Sequence, residues 1–298
     1  MLISVRTTYT LFSDGQHTGV DLGTKIRRVE RALQMTDYQK IRWLRLILFM
    51  FAMLLFAVMP LVVSILFPGE LYSYVVLLTF ILMYTITWAF VRWEGGESIA
   101  ELGFDIDNRI GPHISIGAIA GALGVALVAA IAFFFGGQLR PFNEITGDLV
   151  INVIFNTVLF SFFEELTHRG YILTRMENLA GRRAAIIFSS LFFSLLHFSW
   201  WAPAGYNIPL IVLFSFNIFL GGVVLSLSYY WSGRRLWVPI AFHFMWNVIA
   251  YVMFPSFPTE AVVQPEIFQI EWGLTTIIGF LFGLTILWSF LASEKNKD

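Results

Sequence analysis

Eight long apolar runs, near residues 43–67, 71–91, 113–136, 148–173, 183–200, 208–231, 236–254 and 272–292, constrain this chain more than anything else in it. A helix needs about 17–25 such residues to cross a hydrocarbon layer ~30 Å thick. Backbone polar groups in that layer must be satisfied inside the segment itself, so runs of this length without alternation point to α-helices. The chain is therefore read as all-α: a polytopic membrane bundle of about eight transmembrane helices forming one domain over 43–292, with a polar and basic amphipathic arm before it (1–42) and a charged cytoplasmic tail after it (293–298). Its 57% hydrophobic and 13% charged residues lie far from the soluble norm of about 45–50% and about 25%. The sequence has no cysteine, which excludes disulfides, thiolate nucleophiles and Cys-ligated metal. Residues 1–41 hold no signal-peptide core, so insertion is expected to use the first transmembrane helix.

The connections orient the bundle. Lys and Arg collect on the cytoplasmic side of a membrane, and 17 of the 19 here fall in the arm, in alternate connections and in the tail, leaving Arg140 outside and Arg169 within a span. Both termini are thus expected in the cytoplasm. The connection 255–271 carries Glu260, Glu266 and Glu271 without a cation, as an outer loop should. Residues 92–112 read as a solvated inner connection with a short amphipathic helix, and 22–43 as a basic amphipathic helix on the membrane face or a solvated basic arm. Gly117-x-x-x-Gly121 and Gly279-x-x-x-Gly283 have the spacing of helix-packing seams, within the bundle or between copies.

Against this background the stretch Phe162-Phe163-Glu164-Glu165-Leu166-Thr167-His168-Arg169-Gly170 is anomalous. Ionisable groups inside a membrane are costly and persist mainly where they face a cavity, pair, or do chemistry. Helical spacing sets Glu164 four residues before His168 and Glu165 four before Arg169, giving two side-by-side acid–base pairs. Two further apolar runs contribute His197, and His243 with Asn247 one turn on. Counting ~1.5 Å per residue from the nearest inner cations puts Glu164, His197, His243 and Asn247 at depths of roughly 16, 21, 12 and 18 Å. Three helices of alternating direction deliver them to one level.

Each of these residues also has a structural reading, as a hydrogen-bonded packing histidine or an ion pair that locks the bundle. Neither reading needs the second carboxylate or matched depths. Together the residues suit water activation: a desolvated carboxylate as general base, an imidazole sharing the water, and donors from His243 and Asn247 for the oxyanion. Arg169 pairs with Glu165 and fixes the helix carrying Glu164. The reaction expected is direct hydrolysis of an amide.

The motifs Glu164-Glu165-x-x-x-Arg169, Phe193-x-x-x-His197 and His243-x-x-x-Asn247, in this order on successive segments, resemble those of the CAAX protease and bacteriocin-processing (CPBP, or Abi) family of intramembrane proteases, which includes the CAAX prenyl endopeptidases. The resemblance covers about residues 92–254. It implies an intramembrane site open to the cytoplasm of a cell membrane, with Glu164 and His197 holding the catalytic water, His243 and Asn247 forming the oxyanion hole, and Glu165 and Arg169 in support. It implies a peptide or protein substrate, membrane-associated and lipidated forms included, no nucleic acid, and no cofactor. Three other readings stay open: a zinc protease using Glu164, His197 and His243, a proton-coupled carrier, and a non-catalytic bacteriocin-immunity protein.

Overall fold

The computed structural model describes residues 22–66, 70–202, 205–255 and 264–295, with side chains described from residue 37 onward apart from 70–73, 200 and 293–295. The arm 1–21, Glu260 and residues 296–298 lie outside the described residues. The described chain is helical, with no strand among its residues. Helix α1 (Leu22–Leu66) includes the segment expected to be amphipathic, whose side chains before Asp37 lie outside the description. Contacts divide the chain after Ile41 into two units, and the second, residues 42–298, holds the helical bundle.

Helices α2 (Glu70–Trp93) and α3 (Ile110–Phe135) come next. After them, α4 (Gly147–Glu165) continues through a π-helical stretch, Leu166–Leu173, into α5 (Thr174–Ala180). The chain then forms α6 (Arg182–Leu196), the single turn α7 (Phe198–Trp201), α8 (Ile208–Trp231), α9 (Trp237–Met253), the turn α10 (Pro265–Phe268) and α11 (Thr275–Lys295). Among the described residues six helices are long and apolar enough to cross a membrane, against the eight expected. The other two expected spans form shorter helices: α6 has 15 residues and stops at His197, and α9 has 17.

Helix α6 shows how membrane packing inverts the usual pattern. Ser189 and Ser190 are buried with Phe192 and Phe193, while Ile187, Phe188, Leu191 and Leu195 are exposed. Lipid rewards no burial of leucine, so the inner face goes to small residues that let backbones approach and to side chains with polar partners. The glycine seams follow the same logic. A Cβ on Gly117 or Gly121 would strike the α9 backbone at Val238 and Phe242, and Gly279 abuts Gly124 of α3. Both pairs therefore serve packing within the bundle: the first brings α9, with His243 and Asn247, flush against α3, and the second seats α11 on the α3 backbone at Ala120 and Gly124.

Connections assigned to one side meet at one end of the bundle. Arg175 pairs with Glu94 at 2.8 Å, Arg234 grips Glu177 with two bonds of 2.8 and 2.9 Å, and Arg235 grips Asp107 with two of 2.6 Å. Arg140, assigned to the opposite side, instead caps α9 by donating to the carbonyls of Tyr251, Val252 and Phe254. Connection 92–112 departs from the expected amphipathic helix. It forms one 3-10 turn, Ile99–Leu102, capped by Ser98 and Glu101, with Ile99 and Leu102 buried. Gly103, at φ 113°, comes so close to the backbone of Arg234 that a side chain would collide there, and its carbonyl accepts from Leu236 N–H at 2.9 Å. The loop is short of solvated because its apolar residues dock on the start of α9.

Candidate active site

The π-helical stretch sets the geometry of the first motif. Such wide turns are rare and tend to occur at functional sites. One of the two expected acid–base pairs forms: Arg169 Nη1 donates to Glu165 Oε1 at 2.9 Å, both side chains fully buried, and Arg169 Nη2 donates to the Gly222 carbonyl of α8 at 3.2 Å. The other does not. His168 directs Nδ1 to the backbone carbonyl of Glu164 at 2.9 Å instead of to its carboxylate, and its ring packs edge-on against Phe193. Glu164 is left to face a cavity.

Helix α9 brings the third motif against the first. His243 Nδ1 lies 2.9 Å from Glu165 Oε1, and His243 Nε2 lies 3.8 Å from Glu164 Oε2. Since the Arg-paired carboxylate accepts, Nδ1 carries the proton and donates it, which turns Nε2 toward Glu164. Glu165 therefore ties two helices together, taking bonds from Arg169 and from His243 on one oxygen. Buried ions of this kind lose several kcal/mol each to desolvation and depend on such geometry to recover it.

His197 closes α6, with φ −82° and ψ 2° where the helical turn gives way. Its Nδ1 donates to the Phe193 carbonyl at 2.8 Å, so Nε2 presents a lone pair. That carbonyl fixes the tautomer, while the Phe193 ring itself packs on His168, His197 and the Arg169 guanidinium.

Two cavities meet at these groups. The larger, about 380 Å³, is an apolar groove walled by Met53, Phe56 and Pro60 of α1 and Phe80 and Met83 of α2. The smaller, about 50 Å³, is a chamber walled by His243, Trp246 and Asn247 of α9, Phe193, and Tyr251 and Glu271. Glu164, His197 and Phe160 line both. A water needs roughly 10–15 Å³ of such space and two to four polar partners, so the chamber has room for a few beside its polar groups. All six expected residues thus gather in one region: four line the chamber, and Glu165 and Arg169 stand behind His243.

The model of the family described as type II CAAX prenyl endopeptidase, Rce1-like, matches residues 146–249. This segment, about a third of the chain, is similar to an Rce1-like domain. It agrees with the CAAX protease family that the three motifs resemble, and it contains all six of those residues. No curated protein and no solved structure gave a match to the chain. The α1–α2 walls of the groove, Tyr251 and Glu271 lie outside the matched residues.

Sequence reasoning missed Glu271. It was placed in an outer loop, but the segment after residue 264 turns back into the bundle, leaving Glu271 only 5% exposed and lining the chamber. The usable signal was Trp272, a large apolar residue directly after the acid in a supposedly solvated loop.

Proposed function

We propose that this chain is a multi-pass membrane endopeptidase that hydrolyses a peptide bond with an enclosed water and no covalent intermediate. The observation that carries the reading is that Glu164 and His197 form the shared wall of an apolar groove and a smaller chamber that also holds His243 and Asn247. An extended apolar stretch of substrate lies in the groove, with its scissile carbonyl turned through that wall. Glu164 takes a proton from the chamber water while His197 Nε2 accepts its second hydrogen and orients it. The oxygen attacks the carbonyl carbon, and the resulting oxyanion receives donors from His243 Nε2, in its protonated form, and from the Asn247 amide. Donors preset around developing charge are usually the largest single contribution to catalysis. Glu165, held by Arg169, acts through His243 by fixing its ring.

The groove suits a peptide or protein that reaches the site from the membrane, lipidated chains included, and the reading places the protein in the cell membrane with its site open to the cytoplasm. The reading uses no metal: Glu164 and His197 alone activate the water. Chelator-resistant activity is the expected result, and loss restored by zinc would replace the mechanism.

The experiment is a comparison of membrane peptides from cells carrying the wild type and Glu164→Ala at equal expression. Cleavages that vanish with Glu164 identify the substrate. If the biological effect of the chain persists in Glu164→Ala and no cut depends on that carboxylate, a non-catalytic immunity role takes its place. A proton flux abolished by His197→Ala would favour a carrier.

A further inference from the structure

The segment joining α9 to α11 is built to hold one side chain. Glu271 sits at φ 64°, in the left-handed region that non-glycine residues seldom adopt. Its backbone is clamped from three directions. Asn217, buried in α8, donates to the carbonyls of both Glu271 and Gly273, at 2.9 and 3.0 Å. The Glu271 N–H donates to Thr276 Oγ1 at 2.8 Å. Trp272 is fully buried and stacks on Phe214, with centroids 4.3 Å apart. Strained backbone held this firmly points to function when the side chain it aims has no structural task.

The carboxyl so aimed enters the chamber shared by Glu164, His197, His243, Asn247 and Tyr251. Its one side-chain hydrogen bond among the described residues comes from the Tyr251 hydroxyl, at 3.5 Å, and no Lys or Arg among them stands within ion-pair distance. The one cation that reaches the chamber in the mechanism, protonated His243, is already opposed by Glu165 and Glu164, and a buried carboxyl with no cation of its own costs less as the neutral acid. Two carboxyls lining one small, largely apolar site resist ionising together, which separates them into base and acid.

We propose that Glu271 is the proton donor of the reaction, with Tyr251 orienting it; this rests on the protease reading. Glu164, ionised, takes one proton from water as the new C–O bond forms. Glu271, neutral, gives its proton to the amide nitrogen as the C–N bond breaks. The proton on Glu164 then passes through the chamber to the Glu271 carboxylate, restoring both. The sum is water plus amide giving acid plus amine.

The test compares leaving groups. Purified full-length protein in phosphatidylcholine vesicles is given an internally quenched apolar peptide, and separately the 4-nitrophenyl ester of its acyl half. An amine departs only when protonated, whereas nitrophenolate needs no proton. Glu271→Gln is expected to lower peptide cleavage by about 10²-fold or more and to leave ester hydrolysis within about threefold, with Glu271→Asp between. Ester turnover also reports that the variant is folded. Equal loss on both substrates, or no loss on either, overturns the role of Glu271. A wild type that cuts neither, or whose activity on both survives Glu164→Gln, overturns the protease reading instead.

Discussion

His243 donates from Nδ1 to Glu165 across 2.9 Å, on the same carboxylate oxygen that receives Arg169. The second glutamate of the first motif is thus the residue that sets which nitrogen of His243 faces the chamber. It acts through the imidazole without lining the chamber itself.

Glu165→Gln tests that role. The amide keeps the volume but removes the negative charge that favours a proton on both ring nitrogens, so Nε2 is no longer held as a donor toward the chamber. A kcat lower by about 10²–10⁴-fold with KM little changed is expected, from steady-state cleavage of the substrate peptide, with helical circular dichroism preserved. Arg169 keeps the Gly222 carbonyl but loses its counter-charge, so this variant should also melt below the wild type, and kcat is compared at a temperature where both are folded.

Arg169→Met tests the buried pair. Removing one partner of a buried pair typically costs about 3–5 kcal/mol because the other charge is left uncompensated. The single variant should melt far below the wild type in thermal unfolding. The double variant Arg169→Met with Glu165→Leu should regain much of that stability while staying inactive, since nothing then orients His243.

The seam between α3 and α9 is a third test. Gly121→Ala sets a methyl against the Phe242 backbone, whereas Gly111→Ala in the same helix meets nothing within 4 Å. Overpacking typically costs about 1–3 kcal/mol. Gly121→Ala should lower the melting temperature and, by displacing the helix that carries His243 and Asn247, activity as well; Gly111→Ala should alter neither.

The Asp107–Arg235 pair lies outside the spans and gives a pH dependence. Its hydrogen bonds to Arg235 and to the Arg109 N–H hold the Asp107 carboxyl down at about 2. A carboxyl depressed in the folded state stabilises it fully above the unfolded value near 4, and that contribution disappears as pH falls toward 2. The melting-temperature gap between wild type and Asp107→Asn should therefore be constant near neutrality and narrow between about pH 4 and pH 2.

How much was legible in the sequence depends on where the determining forces act. Spacing along a helix fixes which residues share a face, so His243 with Asn247, and Arg169 with Glu165, were legible. Run length and cation placement fixed the helical class and which connections meet, as the Arg234–Glu177 and Arg235–Asp107 pairs show. The π-helical turn was not legible, because nothing in Leu166–Leu173 demands it apart from the packing of Gly170 against Leu102 and Leu236. The short α6 was misjudged because apolar residues continue past His197 while the helix does not. Glu271 was misplaced because a segment that dips back into a bundle has no periodicity to betray it; Asn217, ~50 residues earlier in the chain, holds it there.

The central claim is that Glu164 and His197 act on one shared water, and a double-mutant cycle on kcat tests it most directly. Glu164→Gln, His197→Gln and the double variant are compared with the wild type on the same peptide. Groups that act as a unit are strongly non-additive, so the double variant should be no slower than the slower single variant. Losses that multiply, or a His197→Gln variant as fast as the wild type, would contradict the account.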